Sequence, residues 1–311
     1  MPHLPDDRKM SLLHTLLLLK VLALSVLVIS TRFESVAAKP VPRNNVSYDD
    51  ESDDFDIGEP LTEKEFDSGI SIKEGEDESE NFIPWGRKPV EQFDCDVNTQ
   101  TGRKNFLSSR ERWPDAKIPY EISATYTPEQ RAIIAFSMKA FHNKTCIRFV
   151  RRTTEKNYIR IKKTGKGCWS DIGMTGLKQT VSLDDRCILS GAPGVVIHEL
   201  MHALGFQHEH QRPDRDKYVS INIDNVDPTN RDYFEKMKIW DFRTTRFSYD
   251  YGSVMHYPAN AFAKETGTPV IIPLRGKPPI GNRRNFSPLD LDRIRKLYCK
   301  SSNSTLTLHQ E

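Results

Sequence analysis

Apolar positions fall into two regimes along the chain. Residues 11–29, SLLHTLLLLKVLALSVLVI, make one long run, the only one of its kind. From residue 112 onward the apolar side chains are scattered in the short periodic patterns of a packed α/β domain. Ile118-Pro119-Tyr120-Glu121-Ile122 reads as a short edge strand. Thr127-Pro128-Glu129-Gln130 opens a helix, with Thr127 as the N-cap, proline at the first helical position and Gln130 closing a capping box. Ile133, Ile134, Met138 and Phe141 form its buried stripe. Residues 146–150, 158–162 and 180–183 are alternating or β-branched and read as strands, with a glycine-punctuated loop over 165–176. Ser287-Pro288 caps a last helix whose Leu291, Ile294, Leu297 and Tyr298 face inward. There is no internal repeat.

Arg8 and Lys9 precede the long apolar run and Val36-Ala37-Ala38 follows it, the order of a secretory signal with a small-residue cleavage site, over 1–38. The rival reading is a signal anchor, since the run approaches the roughly 20 residues that span a bilayer. His14 and Lys20 interrupt it, and a mid-span charge is costly. A secreted, extracellular product follows, and in an oxidising compartment cysteines pair. Cys146, Cys168, Cys187 and Cys299 allow three pairings, and Cys95 is left over.

Composition changes the picture next. Apolar residues at 37% and charged ones at 28% exclude a multi-span membrane protein, and five cysteines in 311 residues are too few for a disulfide-dense miniprotein. The net charge of +2 hides an asymmetry. Residues 39–80 carry 15 Asp or Glu against four Lys or Arg, a net of −11; with +1 on residues 1–38, residues 81–311 hold +12. A stretch so acidic and so poor in large apolar groups cannot offset its ordering entropy and is expected to be largely disordered. It serves either solubility or as a pro-segment matched in charge to a basic body.

The chemistry concentrates in residues 193–209. His198 and His202 are four apart and Glu199 follows the first; on a helix both imidazoles share one face, and the carboxylate projects beside them. Gly205 permits the left-handed turn that ends the helix, and His208 arrives three residues later. Three neutral imidazoles leave a fourth position for water, which is the pattern of a catalytic rather than a structural zinc.

Together with Ser253-Val254-Met255-His256-Tyr257, the stretch from His198 to Glu209 resembles the astacin family of zinc endopeptidases, within the metzincins. Arg112-Trp113-Pro114, Ile118-Pro119-Tyr120, Phe141-His142, Lys144-Thr145-Cys146 and Gly167-Cys168-Trp169-Ser170 fit that family as well. The resemblance implies an α+β catalytic domain over 105–300. Its N-terminal lobe would have a twisted mixed sheet and two long helices, its C-terminal lobe would be mostly irregular with a terminal helix, and the active-site cleft would lie between them. It implies one zinc on His198, His202 and His208, with Glu199 as general base and Tyr257 as the phenol that hydrogen-bonds the oxyanion. Met255 would lie beneath the metal, and Glu209 would anchor the new amino terminus after activation. It pairs Cys146 with Cys299 and Cys168 with Cys187, and it makes Cys168-Trp169-Ser170 the edge strand that receives substrate.

The resemblance extends to a zymogen with a pro-segment over 39–104. In Phe93-Asp94-Cys95-Asp96, Asp96 falls where the family's aspartate blocks the metal, although cysteine stands where glycine is usual. Cys95 is the alternative blocking ligand, since a thiolate binds zinc well. Arg103 and Lys104 are consistent with activation near Lys104, and residues 301–311 form a polar tail. Asn45, Asn143, Asn285 and Asn303 begin glycosylation sequons, the third followed by Pro288. The expected partners are protein or peptide substrates and an activating protease. No nucleic acid, no stable membrane insertion and a monomer are expected. Lys264, Arg275, Lys277, Arg283 and Arg284 are compatible with substrates that carry acidic residues just after the cut.

Overall fold

A computed structural model describes residues 55–67, 112–237 and 247–299. The signal segment 1–38, Asn45, Cys95, Asp96, the activation site at Lys104, Asn303 and the 301–311 tail lie outside the described residues. In chain order the elements are α1 (Glu63–Asp67), β1 (Lys117–Ile122), α2 (Pro128–Lys144), β2 (Arg148–Arg151), β3 (Tyr158–Lys162), β4 (Cys168–Ser170), β5 (Lys178–Leu183), α3 (Gly194–Ala203), β6 (Val219–Ile221), β7 (Ile271–Pro273) and α4 (Pro288–Tyr298), with short 3-10 segments between them.

The N-terminal ends of α2 and α4 are set by side chains of the cap and first turn. Thr127 accepts the Gln130 N–H while the Gln130 side chain accepts the Thr127 N–H, and Ser287 and Asp290 do the same for α4. Ile133, Ile134, Met138 and Phe141 bury completely or nearly so and join Ile118, Ile122, Ile159, Ile161, Val181, Leu183, Val196 and Leu200 in one core. Each side chain of this size contributes roughly 1.5–3 kcal/mol when taken out of water. That core fuses the sheet, α2 and α3 into a single body.

The sheet has the order β2-β1-β3-β5-β4. Its first four strands are parallel and β4 runs antiparallel to β5, pairing Cys168 with Leu183 and Ser170 with Val181. This mixed sheet with helices is the expected α+β arrangement. One strand differs from expectation: β1 is not an edge but lies between β2 and β3. Pro119 is tolerated there because its register partner is Val150 of β2, while pairing to β3 starts one residue later, at Tyr120.

After α3 the described chain is mostly irregular. The two-stranded β6–β7 pair and Val226, Phe234, Tyr249, Tyr257, Phe262 and Val270 make a second, smaller core, and α4 returns to the first one through Ile294. Among the described residues two disulfides form, Cys146–Cys299 and Cys168–Cys187. The expectation of disorder over 39–80 does not hold for residues 55–67, which lie against β1 and α2. Leu61 and Phe66 give this stretch the apolar contacts that its overall composition conceals. Among the described residues no helix is long and apolar enough to cross a membrane.

Candidate metal centre

α3 is buried along its whole length, from Gly194 to Ala203. Gly194 is required by close packing, since a Cβ there would collide with the Arg283 backbone, and its N–H donates to the Arg283 carbonyl (3.0 Å). His198 and His202 sit one turn apart, ring centroids 4.7 Å from each other. The helix then stops at a Schellman turn. Gly205 takes φ +98°, its N–H donates to the His202 carbonyl, and the Phe206 N–H donates to the Met201 carbonyl. Two remote side chains hold this end: the Trp113 indole N–H donates to the Ala203 carbonyl (2.8 Å) and the Tyr298 hydroxyl to the Leu204 carbonyl (2.7 Å). The turn is therefore fixed by β1's approach and by α4, and it sends His208 back towards the first two histidines.

The three side chains meet. His208 Nε2 lies 3.2 Å from His198 Nε2 and 3.1 Å from His202 Nε2. The protons of the first two rings are elsewhere, because His198 Nδ1 faces the Val254 carbonyl and His202 Nδ1 the Phe206 carbonyl, each at 2.7 Å. A carbonyl only accepts, so each Nδ1 donates and each Nε2 presents a lone pair. His208 Nε2 carries at most one proton and cannot donate to both. Burial pushes His202 down to about 4 and holds His198 and His208 well below the ordinary histidine range, so the neutral, metal-binding form is the resting one. Nitrogens held so close repel unless a cation sits among them. Tetrahedral bonds of about 2.0–2.1 Å to zinc would put them roughly 3.3–3.4 Å apart. The three histidines thus fit zinc and form its binding triad.

The remaining expected site residues lie on α3 itself and on the turn formed by residues 253–257. Glu199 is fully buried on α3, one residue after the first ligand. Tyr257 lies 4.4 Å, ring to ring, from His208 and stacks at 4.2 Å on His210. Met255 is buried, and its carbonyl accepts the Glu209 N–H (3.1 Å), tying its turn to the residue after the third ligand. Of the sequons, Asn143 is exposed, whereas Asn285 is half-buried with its Oδ1 accepting the Phe286 N–H.

Glu209 occupies a buried ionic cluster that spacing alone does not reveal. Arg293 of α4 grips both its oxygens (2.7 and 2.9 Å), Arg212 reaches Oε1 (3.1 Å), and the Asp250 N–H donates to the same oxygen (2.8 Å). Asp290 is a second such residue. Beyond closing its capping box, it accepts the Ser253 hydroxyl (2.6 Å) and the Val254 N–H (2.9 Å), and so holds the turn that carries Met255 and Tyr257. Burial raises its carboxyl to about 6. Arg283, named above among the cations compatible with acidic substrate residues, is buried and donates to the carbonyls of Val254 and His256 (2.8 and 3.0 Å). The capping-box position was the only sequence signal for Asp290; nothing in the sequence marked Arg293.

Comparison with known proteins gives consistent results. Residues 106–299 match the peptidase family described as Astacin. Zinc metalloproteinase nas-7 of Caenorhabditis elegans is 40% identical over 212 residues, covering 67% of this chain and 54% of its own length. Zinc metalloproteinase nas-8 of Steinernema carpocapsae is 40% identical over 211 residues, 67% of this chain and 49% of its own. The chain therefore spans about half the length of these relatives. Among solved structures, High choriolytic enzyme 1, a hatching enzyme zinc-protease from the medaka fish Oryzias latipes, superposes with a TM-score of 0.58 at 40% identity, over 63% of this chain and 98% of that one.

Proposed function

The chain belongs to the astacin family, and from that membership we propose that it is a secreted zinc-dependent endopeptidase, made as a zymogen and activated by a cut near Lys104. The observation that carries this reading is the convergence of three neutral imidazoles, two with their lone pairs fixed by carbonyl partners. Bound there, zinc would lower the pKa of a coordinated water towards about 7 and polarise a peptide carbonyl.

The chain's own residues supply the rest. Glu199, buried beside the ligands, takes the proton of the attacking water and passes it to the departing amine. Tyr257, packed on His208, offers its phenol to the oxygen that gains charge. Among the described residues β4 is an edge strand, along which an extended peptide substrate pairs as an added strand. In the zymogen, Asp96 or Cys95 would occupy the metal position that the water later takes.

The test uses the full chain cut near Lys104. It should carry about one zinc per molecule, digest casein, and lose that activity on treatment with phenanthroline. Digestion that survives complete metal removal, or an activated chain without stoichiometric zinc, would defeat the reading.

A further inference from the structure

The acidic leader is not merely a tail joined to the body. Residues 55–67 lie on the body through contacts of every kind. Asp56 and Gly58 bracket a short antiparallel bridge between Ile57 and Ser123, the Gly58 N–H donating to the Ile122 carbonyl and the Ala124 N–H to the Asp56 carbonyl (both 2.9 Å). The approach is close enough to require glycine, since a Cβ on Gly58 would lie 2.8 Å from the Ala124 nitrogen. Leu61 is buried, and its N–H donates to the Tyr120 hydroxyl (3.1 Å). Phe66 stacks on His142 at 5.5 Å. The charges match as well: Glu65 meets Arg131 (2.6 Å) and Asp67 meets Lys139 (3.0 Å) on α2, and the Arg160 guanidinium lies 4.1 Å over the Phe55 ring.

We propose that residues 55–67 are an anchor that binds the leader to the body independently of the metal centre, so that the leader stays attached after the chain is cut near Lys104. The inference rests on the zymogen reading given above. None of the body residues it touches belongs to the metal site; they come from β1 and the turn after it, from α2, and from β3. A leader held only at the metal leaves once its chain is cut. One held at a second place keeps residues 93–96 tethered through residues 68–92, at an effective concentration of the order of millimolar. Cutting and release then become separate steps, and full activity waits for the second. The surface that release uncovers is built for an acidic segment with spaced apolar side chains, and the occupant it fits is the leader itself.

The experiment uses the full chain carrying Glu199→Gln, with a recognition sequence for a site-specific protease inserted after Gly102. After complete cutting, native size exclusion should show the leader fragment eluting with the body. Gly58→Val and Leu61→Asp should each weaken this retention at least about tenfold, equivalent to about 1.4 kcal/mol. Raised salt should weaken it further by screening the two partly exposed ion pairs. Leader that separates at once from the unsubstituted body overturns the proposal, and so does retention that both variants leave unchanged. Should the variants fail to fold, hydrogen exchange decides. The Ala124 amide must stay protected in the cut, unsubstituted protein, and loss of that protection refutes the anchor. Retention needs no peptidase activity, so this result and the casein digest can fail separately.

Discussion

At the scale of single residues, the sharpest prediction concerns Glu199. It is buried on the same helix as two ligands but holds no ligand position in the triad. Glu199→Gln keeps its shape and removes only the capacity to take a proton. The expected outcome is normal zinc content by metal analysis and a fall in kcat/KM of about 10²–10⁴-fold, the usual contribution of a positioned general base. Near-normal hydrolysis would take the base role from Glu199. The ligands were legible in the sequence because their geometry is local: four residues set two rings on one helical face, and one glycine turns the chain for the third. Arg293 and Asp290 were not legible in the same way. Arg293 reaches Glu209 across 84 positions and Asp290 reaches Ser253 across 37. No spacing rule links partners that only the finished fold brings together.

At the scale of elements, α2 carries a titration that its sequence does not announce. His142, in its last turn, accepts the Phe149 N–H of β2 at Nε2 (2.9 Å) and stacks between Phe66 and Phe149. Burial, with the nearby Arg148 charge, lowers its pKa from 6.5 to about 4. A base whose folded pKa is depressed is proton-poor in the fold, so its stability contribution is complete above pH 6.5 and is lost as pH falls towards 4. The ring is only partly buried, and the loss over that window is therefore about 1–2 kcal/mol once solvent screening is allowed for. His142→Gln keeps an acceptor for the Phe149 N–H and removes the titration. Its melting temperature should fall less than the unsubstituted chain's between about pH 7 and pH 4.5. The ligand histidines titrate in both proteins, so the difference in slope belongs to His142; equal slopes would refute the assignment. Capping boxes and the buried stripe of α2 were readable because they are short-range. The interior place of β1 was not, since pairing partners are chosen by the sheet and not by the strand. The order of residues 55–67 was hidden by a composition averaged over 42 positions, in which Leu61 and Phe66 count for little.

At the scale of the whole molecule, the two disulfides constrain the unfolded chain very unequally. Cys146–Cys299 ties the start of β2 to the end of α4 across 153 positions, whereas Cys168–Cys187 closes 19 beside the edge strand β4. By loop-closure entropy the first stabilises by about 5 kcal/mol and the second by about 3 kcal/mol. Replacing Cys146 and Cys299 together by alanine should therefore lower the unfolding free energy by about 2 kcal/mol more than replacing Cys168 and Cys187 together, as read by denaturant titration of the zinc-loaded protein. The functional consequences should run the other way. The long bridge lies at α4, whose Asp290 holds the turn that carries Met255, whose Arg293 holds Glu209, and whose Ile294 is already packed in the main core. The short one fixes β4, where substrate is proposed to pair, so its loss should raise KM more than loss of the long bridge does. If the short bridge proved the greater contributor to stability, strain or residual structure in the unfolded chain would outweigh loop length. In that case the long bridge would serve to orient α4 rather than to restrict the unfolded state.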